Sequence, residues 1–295
     1  IREHMSDHYL YKYYDYEGLK ATLETGARLW SYCIGLNEPI CRDIKPKWEF
    51  GGFQEIMVAC VRKQYNPMDK ALGIDYQKFL DKMTDGTLKL EKFVSDLKDA
   101  FNAEIETMRP HMLVCCFTDN KHNLPMWSGY ADNHTGGVIK FSNFDKTNSP
   151  LAYARKVHYQ NDRPKCKLTR AIEAKDDSYM LEVLHKLFLT KASDWQHEDE
   201  WRALWHEIPA ETTEAVALDA EQLAQGRKLL PFAGEEVTAV YLGAEMPAAH
   251  REEITELMNR QYSWAEIYQA RPDDKELTLD FDCLKSWQHE LPLNK

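Results

Sequence analysis

The sequence predicts an α+β fold, in which a strongly twisted, mostly antiparallel sheet packs against a layer of helices. Short β-prone segments occur towards both ends of the chain. A long stretch with helical periodicity, about residues 53–109, lies between them. No fixed-period repeat or low-complexity linker divides the chain. Taking Met5 as the first native residue, we expect one domain over residues 5–295, with a helical insertion at about 53–109.

The first elements follow from local signals. Residues 9–14 are aromatic and β-prone, which predicts a first strand. A short helix is expected to begin at Asp15 or Tyr16 and to end at Gly26, because glycine is the usual C-terminal cap. Residues 27–33 then predict a second strand whose side chains alternate between two faces.

The next region combines loop, helix and strand signals. Residues 35–52 predict a long loop, and loops of that length are usually functional or disordered. Two or three helices are expected over 53–109, one of them capped by Asp75. The continuous apolar run at 111–118 suits a central strand covered on both faces.

The rest of the chain continues to alternate strands and helices. A turn is expected at residues 126–130. The predicted strands are 136–141, 151–160, 195–206, 214–218, 235–243, AEIYQA (265–270) and ELTLDF (276–281), and the predicted helices are 177–192, 219–225 and one that begins at Pro247.

Residues 195–206 carry the strongest functional signal. Read as a strand, they direct Trp201, Ala203 and Trp205 into a core. The opposite face then carries Glu198, Glu200, Arg202 and His206. Two carboxylates two residues apart on one face lie roughly 7 Å apart, close enough to perturb each other's ionisation in a partly closed site. The alternative is an ordinary solvated strand face that an arginine balances.

Composition excludes several classes of protein. The formal net charge of −11 argues against a general nucleic-acid binder or an anionic-membrane binder, because both need clustered cations. The 7 cysteines include no CxxC pair, and adjacent Cys115 and Cys116 lie in an apolar run, which predicts buried, reduced thiols in a cytoplasmic protein. No apolar run is long enough for a membrane span, and no signal peptide is recognisable.

A cleft for an aromatic, anionic ligand is the remaining possibility. No glycine-rich phosphate loop, serine-hydrolase elbow or metal-ligand spacing occurs. Stacking surfaces could come from Tyr11, Tyr13, Trp30, Trp127, Tyr130 and Trp195, and charges for phosphate from Lys12, Arg28 and Arg202. Each aromatic residue taken alone is more often a core residue.

The order of several motifs resembles the bacterial domain-of-unknown-function family 2971. Its most specific blocks are the Trp-Ser-x-Tyr-Ala-x-x-His-x-Gly and E-x-E-W-R motifs. The blocks are YKYY (11–14), LWSYC (29–33), NEP (37–39), CCFTD (115–119), MWSGYADNHTGGVIKF (126–141), VHYQ (157–160) and W-x-x-E-x-E-W-R (195–202). Ile40 after NEP departs from the aromatic residue that the family tends to carry there.

The layout is also similar to ADP-ribosyltransferases, which are small split-sheet proteins that bind NAD between strands. This resemblance implies a split sheet here and places the first-strand position at Tyr11, Lys12 or Tyr13, the middle block at Trp127, Ser128 and Tyr130, and the acids of E-x-E at Glu200 and Glu198. The first strand departs from the pattern because it lacks the usual Arg or His.

The resemblance implies an ADP-ribosyltransferase or NAD hydrolase of the bacterial cytoplasm, serving as a toxin or phage-defence effector, with NAD as substrate. Glu200 would stabilise the cation formed as nicotinamide leaves, and Ser128 would support it by a hydrogen bond. The resemblance further implies that Tyr130 or Trp127 stacks on nicotinamide and that Lys12 or Arg28 holds phosphate. It does not identify the acceptor of ADP-ribose.

Two rival functions stay open at this point. In a non-catalytic binding or sensing module, the acidic strand face would merely pair with Lys12 or Arg28. In a metal-dependent nuclease, Glu198, Glu200 and His134 would hold the metal.

Overall fold

The secondary structure follows the predicted order over most of the chain. The computed structural model describes residues 9–33, 36, 44–63, 81, 90–174, 176–206 and 226–286. The NEP motif, the strand expected at 214–218 and the helix expected at 219–225 lie outside the described residues, as does nearly all of the helix expected from Asp75.

The strands are numbered in chain order. They are β1 (Leu10–Tyr14), β2 (Ala27–Tyr32), β3 (Lys47–Glu49), β4 (Met112–Thr118), β5 (Gly137–Phe141), β6 (Arg155–Lys156), β7 (His158–Tyr159), β8 (Lys165–Lys167), β9 (Thr190–Lys191), β10 (Glu200–His206), β11 (Arg227–Pro231), β12 (Val237–Leu242), β13 (Glu266–Pro272) and β14 (Leu279–Lys285).

The helices are numbered in the same way. They are α1 (Tyr16–Thr25), α2 (Phe53–Lys63), α3 (Leu90–Met108), α4 (Leu124–Tyr130), α5 (Phe144–Thr147), α6 (Leu168–Glu173), α7 (Ser178–Phe188) and α8 (Ala248–Gln261). Short 3-10 turns cover Arg109–His111, Pro150–Tyr153, Ser193–Glu198 and Gly234–Glu236.

The main sheet confirms the predicted α+β class. Its strands run in the order β11-β2-β4-β1-β5-β12-β13-β14, and β10 adds to β4 and in turn pairs with β6. Neighbouring strands are antiparallel, except that β12 and β13 are parallel. Two small parallel pairs, β3 with β8 and β7 with β9, lie outside this sheet.

The sheet divides at β4. Strand β10 pairs with β4 continuously from Thr118 to Met112, so β1 and β2 must share the other edge of β4. Strand β2 pairs with Leu113 and Val114, and β1 pairs with Thr118. The residues between these contacts, 115–117, have no strand on that edge within the part of the chain that the structure describes. A gap therefore opens where β1 and β2 diverge.

Along the gap, side chains donate to backbone carbonyl groups that a neighbouring strand would otherwise have paired. The ammonium group of Lys12 donates to the carbonyl oxygen of Cys116 at 2.9 Å. The thiol of Cys115 donates to the carbonyl oxygen of Leu29 at 3.5 Å. Buried backbone groups need such partners, because an unpaired one costs about as much as a lost hydrogen bond. The gap is thus a stable part of the fold.

The helices cover the two sheet faces differently. On one face, α1 and α8 pack over a single core that includes Leu10 and Leu113. Along each strand, the residues between these face the opposite side of the sheet. On that side the core is in two parts. Val114 belongs to a cluster with α2, α3, α6 and α7, whereas Tyr11 and Tyr13 belong to a cluster with α4. The boundary between these two clusters runs over the gap.

The structure confirms the first elements that local signals predicted. The side chain of Asp15 accepts a hydrogen bond from the amide of Gly18 and caps α1. Gly26 ends the helix in the left-handed conformation, with φ of 61°. In β2, Arg28 and Trp30 are buried while Leu29 is exposed, as the predicted alternation requires.

Two of the predicted elements were wrong. Residues 126–130 form the end of helix α4 and not a turn, because Asn123 caps a helix that begins with Leu124 and Pro125. Proline suits the first turn of a helix, where its missing amide would be unpaired anyway. Residues 151–160 form no single strand, since β6 pairs with β10 and β7 pairs with β9.

We expect Gly243→Ala to destabilise the fold. A β-carbon at Gly243 would lie 2.0 Å from the carbonyl oxygen of His134, so the backbone has to move. Overpacking of this kind costs about 1–3 kcal/mol. Gly129 in α4 is the matched control, because a β-carbon there meets no atom within 4 Å and alanine favours helix. Urea unfolding should show a loss for Gly243→Ala and none for Gly129→Ala. Equal effects would contradict the close approach.

Candidate functional site

A cavity of about 400 Å³ lies at the gap in the sheet. The lining comes from β1, β2, β4 and β10, from α4, from β9, from the 3-10 turn before β10 and from Arg227 at the start of β11. Its size is within the range of ligand sites, roughly 300–1,000 Å³. The cavity brings together segments that are far apart in sequence, from Tyr11 on β1 to Arg227 on β11.

An immobilised carboxylate lies in this cavity. Glu200 and Arg202 are on the same face of β10, and both are almost completely buried. The guanidinium of Arg202 donates to both oxygens of Glu200, at 2.7 and 3.0 Å, and to the carbonyl of Phe188 at 2.6 Å. Bidentate contacts of this kind are the strongest ion pairs in proteins. The carboxylate of Glu200 is therefore fixed in one orientation.

A second carboxylate reaches the same place from a different element. Glu198 ends the 3-10 turn, and Asp199 then adopts the left-handed conformation with φ of 48°. The ammonium of Lys191 donates to Glu198 at 2.5 Å and to Glu200 at 3.1 Å. The hydroxyl of Tyr130 donates to the other oxygen of Glu198 at 2.8 Å. The sharp backbone turn at Asp199 thus lets both acids share one cation.

The charges set the ionisation of the site. Burial alone would raise the pKa of Glu200, but the charge and hydrogen bonds of Arg202, with help from Lys191, outweigh it and lower the pKa to about 2. Burial would lower the pKa of Lys191, but the two carboxylates raise it. Burial and the neighbouring charge of Glu198 raise the pKa of Tyr130. At neutral pH the acid is an anion, the lysine a cation and the phenol a donor.

Cys116 also lines the cavity, in contrast to the expectation that both adjacent cysteines are core residues. Cys115 is buried, whereas Cys116 is partly buried beside Glu200. Burial and the charge of Glu200 raise the pKa of the Cys116 thiol. A neutral thiol is a weak nucleophile, so Cys116 is not suited to attack a ligand.

Helix α4 is held in place by its cap and by a left-handed turn. The side-chain amide of Asn123 accepts from the amide of Met126 and donates to the carbonyl of His197, which ties α4 to the 3-10 turn. After α4, Asp132, Asn133 and His134 adopt φ of 45°, 51° and 69°. Left-handed backbone costs roughly 1–2 kcal/mol per residue, so this turn is maintained by its surroundings.

The ring of His134 provides part of that support. It stacks on Trp127, with centroids 5.9 Å apart, while its carbonyl accepts from the amide of Glu245. Trp127 in turn packs edge-on against Tyr13 and donates to the carbonyl of Lys121. These contacts fix the helix that carries Tyr130 relative to β1.

Most of the residues that sequence reasoning singled out meet at the cavity. Those in its lining are Tyr11, Lys12, Tyr13, Tyr130, Glu198, Glu200 and Arg202. Trp195, which was predicted as a stacking surface, lines it as well. Their assigned roles stay predictions, since the geometry establishes position alone.

Four predicted site residues lie elsewhere, and one of them, Trp30, is buried in the core that α1 and α8 cover. Arg28 is buried on the opposite sheet face, where it pairs with Glu236 at 2.5 Å and contacts two phenylalanine rings. Trp127 is completely buried in the core next to α4, so it is not available for stacking on a ligand. Ser128 is exposed and is not part of the lining, whereas Tyr130, two residues later on α4, contacts an acid.

The strand predicted at 195–206 begins later than expected. Residues 193–198 form the 3-10 turn, and β10 starts at Glu200. Ala203 and Trp201 pack on the core as predicted, but Trp205 is 49% exposed because β10 extends past the edge of that core. The alternation argument was right for the faces of β10 and wrong for Glu198, which is not on the strand.

Sequence reasoning missed Lys191 and Arg227. Lys191 lies after α7, seven residues before one acid and nine before the other, and no periodicity predicts that a loop and a turn will bring them together. Arg227 stands opposite Ser31 on β2 and was not assigned to any strand. The sequence offered one signal for Lys191, because two buried acids require a cation nearby.

The described residues contain no group of three or more side chains suited to hold a metal ion. His134 lies against Trp127 and does not line the cavity, so the ligand set considered for a nuclease is not assembled. No helix among the described residues is long and apolar enough to cross a membrane.

Comparison with known proteins matches one segment of the candidate site to a family without an assigned activity. Residues 126–203 match the model of a family described as "Protein of unknown function (DUF2971)". This supports the resemblance stated for the motifs of that segment. No curated protein and no solved structure matches the chain. The resemblance to ADP-ribosyltransferases stays a prediction.

We expect Glu200→Gln to cost about 3–5 kcal/mol of stability, because it leaves the guanidinium of Arg202 buried without its counter-charge. The double variant Glu200→Gln/Arg202→Met should recover part of this loss. The control is Glu182→Gln, which breaks an exposed pair with Arg170 and should cost less than about 1 kcal/mol. Urea unfolding measures all three. Additive losses in the double variant would contradict the pairing.

The lowered pKa of Glu200 also predicts an acid-dependent stability. Folding favours the deprotonated form, so the contribution is complete above the ordinary value of 4.5 and is lost as the pH falls towards about 2. Across this window the wild type should lose about 3 kcal/mol more than Glu200→Gln. Unfolding free energies at several pH values test this. Parallel pH profiles would exclude Glu200 as the group responsible.

Proposed function

We propose that the protein binds NAD in the cavity and cleaves the bond between nicotinamide and ribose, transferring ADP-ribose to water or to an acceptor. The carrying observation is the ionised, immobilised carboxylate of Glu200 in a cavity with aromatic and cationic walls. The proposal keeps Glu200 as the central acid and replaces Ser128 by Tyr130 as the hydroxyl that supports the acidic pair.

The charge of the cavity supports an anionic ligand. Its lining carries four cationic and two anionic side chains, whereas the whole chain has a formal net charge of −11. The cations are Lys12, Lys191, Arg202 and Arg227, and the anions are Glu198 and Glu200. A local excess of positive charge in an acidic protein favours a ligand such as a pyrophosphate.

Aromatic rings at the cavity support a planar ligand. Tyr130 is 40% exposed and Trp195 is 39% exposed, so both rings have a free surface. Tyr11 and Tyr13 line the cavity from β1. Flat heteroaromatic groups such as nicotinamide and adenine stack on such rings. In this proposal Tyr130 takes the stacking role that Tyr130 or Trp127 was expected to have.

The proposed chemistry uses the charge of Glu200. As the glycosidic bond breaks, nicotinamide leaves with the bonding electron pair and the ribose carbon becomes cationic. A carboxylate that remains ionised can stabilise this charge without reorganising. Attack by water then forms the new carbon–oxygen bond, and the proton of the water passes to Glu198 or to solvent. The products are ADP-ribose, nicotinamide and a proton.

A cellular role as a bacterial toxin or phage-defence effector belongs to the same proposal. Removal of NAD or modification of an essential protein would arrest the metabolism of a cell. The proposal leaves the acceptor open between water and a macromolecule, and analysis of the ADP-ribosyl product distinguishes the two.

The test is release of nicotinamide from NAD by the purified protein. We expect turnover by the wild type and a loss of about 100-fold or more in Glu200→Gln and Glu200→Asp, because removing one preorganised electrostatic group costs that much. The control Glu182→Gln, on the exposed surface, should retain full activity. Circular dichroism checks that each variant is folded. No turnover by the wild type, or equal turnover by folded Glu200→Gln, would reject the proposal.

A second candidate function is binding without catalysis. It is favoured by the fact that both oxygens of Glu200 already accept hydrogen bonds from Arg202 and Lys191. In that case calorimetry would detect binding of NAD or ADP-ribose without turnover. Replacing Arg227, an exposed cation of the lining, by methionine should then weaken binding while the fold is unchanged.

A further inference from the structure

We infer that Lys191 is a positioning residue that makes the two acids unequal: it is the cation that holds Glu198, whereas Glu200 is also held by Arg202. This deepens the proposed function, since it names the residue on which the second acid relies. Lys191 is 7% exposed and contacts both carboxylates. No other described cation forms an ion pair with Glu198.

The backbone around Lys191 is held on both sides. It pairs with Tyr159 across β7 and β9, and its carbonyl accepts from the amide of Gln160 at 2.9 Å. One residue earlier, the hydroxyl of Thr190 donates to the carbonyl of Lys186 in α7. The side chain therefore starts from a fixed point and reaches the acids with little freedom, which lowers the entropic cost of the ion pairs.

The partners of the two acids differ in number and in charge. Both oxygens of Glu200 accept hydrogen bonds from Arg202, and Lys191 donates a further one. Glu198 has Lys191 on one oxygen and the neutral phenol of Tyr130 on the other. Without Lys191, Glu200 keeps a bidentate cation, but Glu198 is left as a buried charge with one neutral donor. A buried carboxylate without a cation takes up a proton more readily.

The environment of Glu198 contains few other groups that could replace Lys191. The charged and titratable groups around Glu198 are Tyr130 from α4, Tyr159 from β7, Lys191 from β9, and Glu200 and Arg202 from β10. Of the two cations only Lys191 pairs with Glu198, because Arg202 donates to Glu200 and to the carbonyl of Phe188. The ammonium also lies 4.9 Å from the ring of Trp195, so it links the acids to an aromatic wall of the cavity.

Titration of the glutamate side-chain carboxyl carbons by NMR tests the inference without any substrate. Over the pH range in which the protein is folded, one resonance of Lys191→Met, absent from Lys191→Met/Glu198→Gln, should titrate at a higher pH than its wild-type counterpart. The resonance of Glu200 should stay that of an anion in this range, because Arg202 remains. In Tyr130→Phe, which removes only the neutral donor, the Glu198 resonance should behave as in the wild type.

Kinetics provide a second readout when NAD turnover is present. Lys191→Met should lower kcat about 10-fold or more, with little change in KM, if the anion of Glu198 accepts the proton of water. Lys191→Arg keeps the charge and should restore part of the loss. Absence of turnover in the wild type would reject the proposed function and leave the NMR result to decide the role of Lys191.

Two results would overturn the inference. One is a Glu198 resonance that does not change its titration in folded Lys191→Met. The other is a Glu198 resonance that changes in Tyr130→Phe as much as in Lys191→Met, because the phenol would then be the controlling partner. If Lys191→Met does not fold, the Tyr130→Phe and Lys191→Arg titrations still decide, since both must leave the Glu198 resonance as it is in the wild type.

Discussion

The geometry of the site depends on the competition of two strands for one edge of β4. Since β10 occupies the other edge along its full length, β1 and β2 can each pair with only part of the remaining edge. The unpaired segment between them would be costly if it were buried alone. The side chain of Lys12 satisfies one of its carbonyls and the sheet stays open. The cavity exists because this opening separates the core under α4 from the core under α7.

A buried cluster of four charges is hard to explain by stability alone. Glu198, Lys191, Glu200 and Arg202 together are formally neutral, yet removing each from water costs several kcal/mol, which well-packed apolar residues would avoid. Ionisable groups with shifted pKa values in a cavity are typical of sites that bind or react. The charged cluster lies beside an accessible volume and not inside a closed core, which is the arrangement that a ligand site requires.

Sequence patterns predicted the features of the fold that depend on neighbouring residues. The cap of α1, the buried run of β4 and the alternation along β2 all follow from neighbouring residues. Contacts between distant residues did not follow. Arg28 was predicted to hold phosphate, but it is buried against Glu236, which is 208 residues away, so the sequence could not show that its charge was already used. The left-handed conformation of Asp199 also has no periodic signature, and it moves Glu198 from the strand to a turn.

The segment that matches a known family contains the acids and the parts that hold them. Residues 126–203 include most of α4, the left-handed turn, Lys191 and both glutamates. The walls of the cavity that come from β1, β2 and β11 lie outside the match. The charged cluster and its supports therefore form one unit within a continuous stretch of chain, while distant strands determine the shape of the space beside it. One segment positions the acidic pair, whereas other segments determine the shape of the cavity. The two can therefore vary separately, so the same charged cluster could serve cavities of different shape.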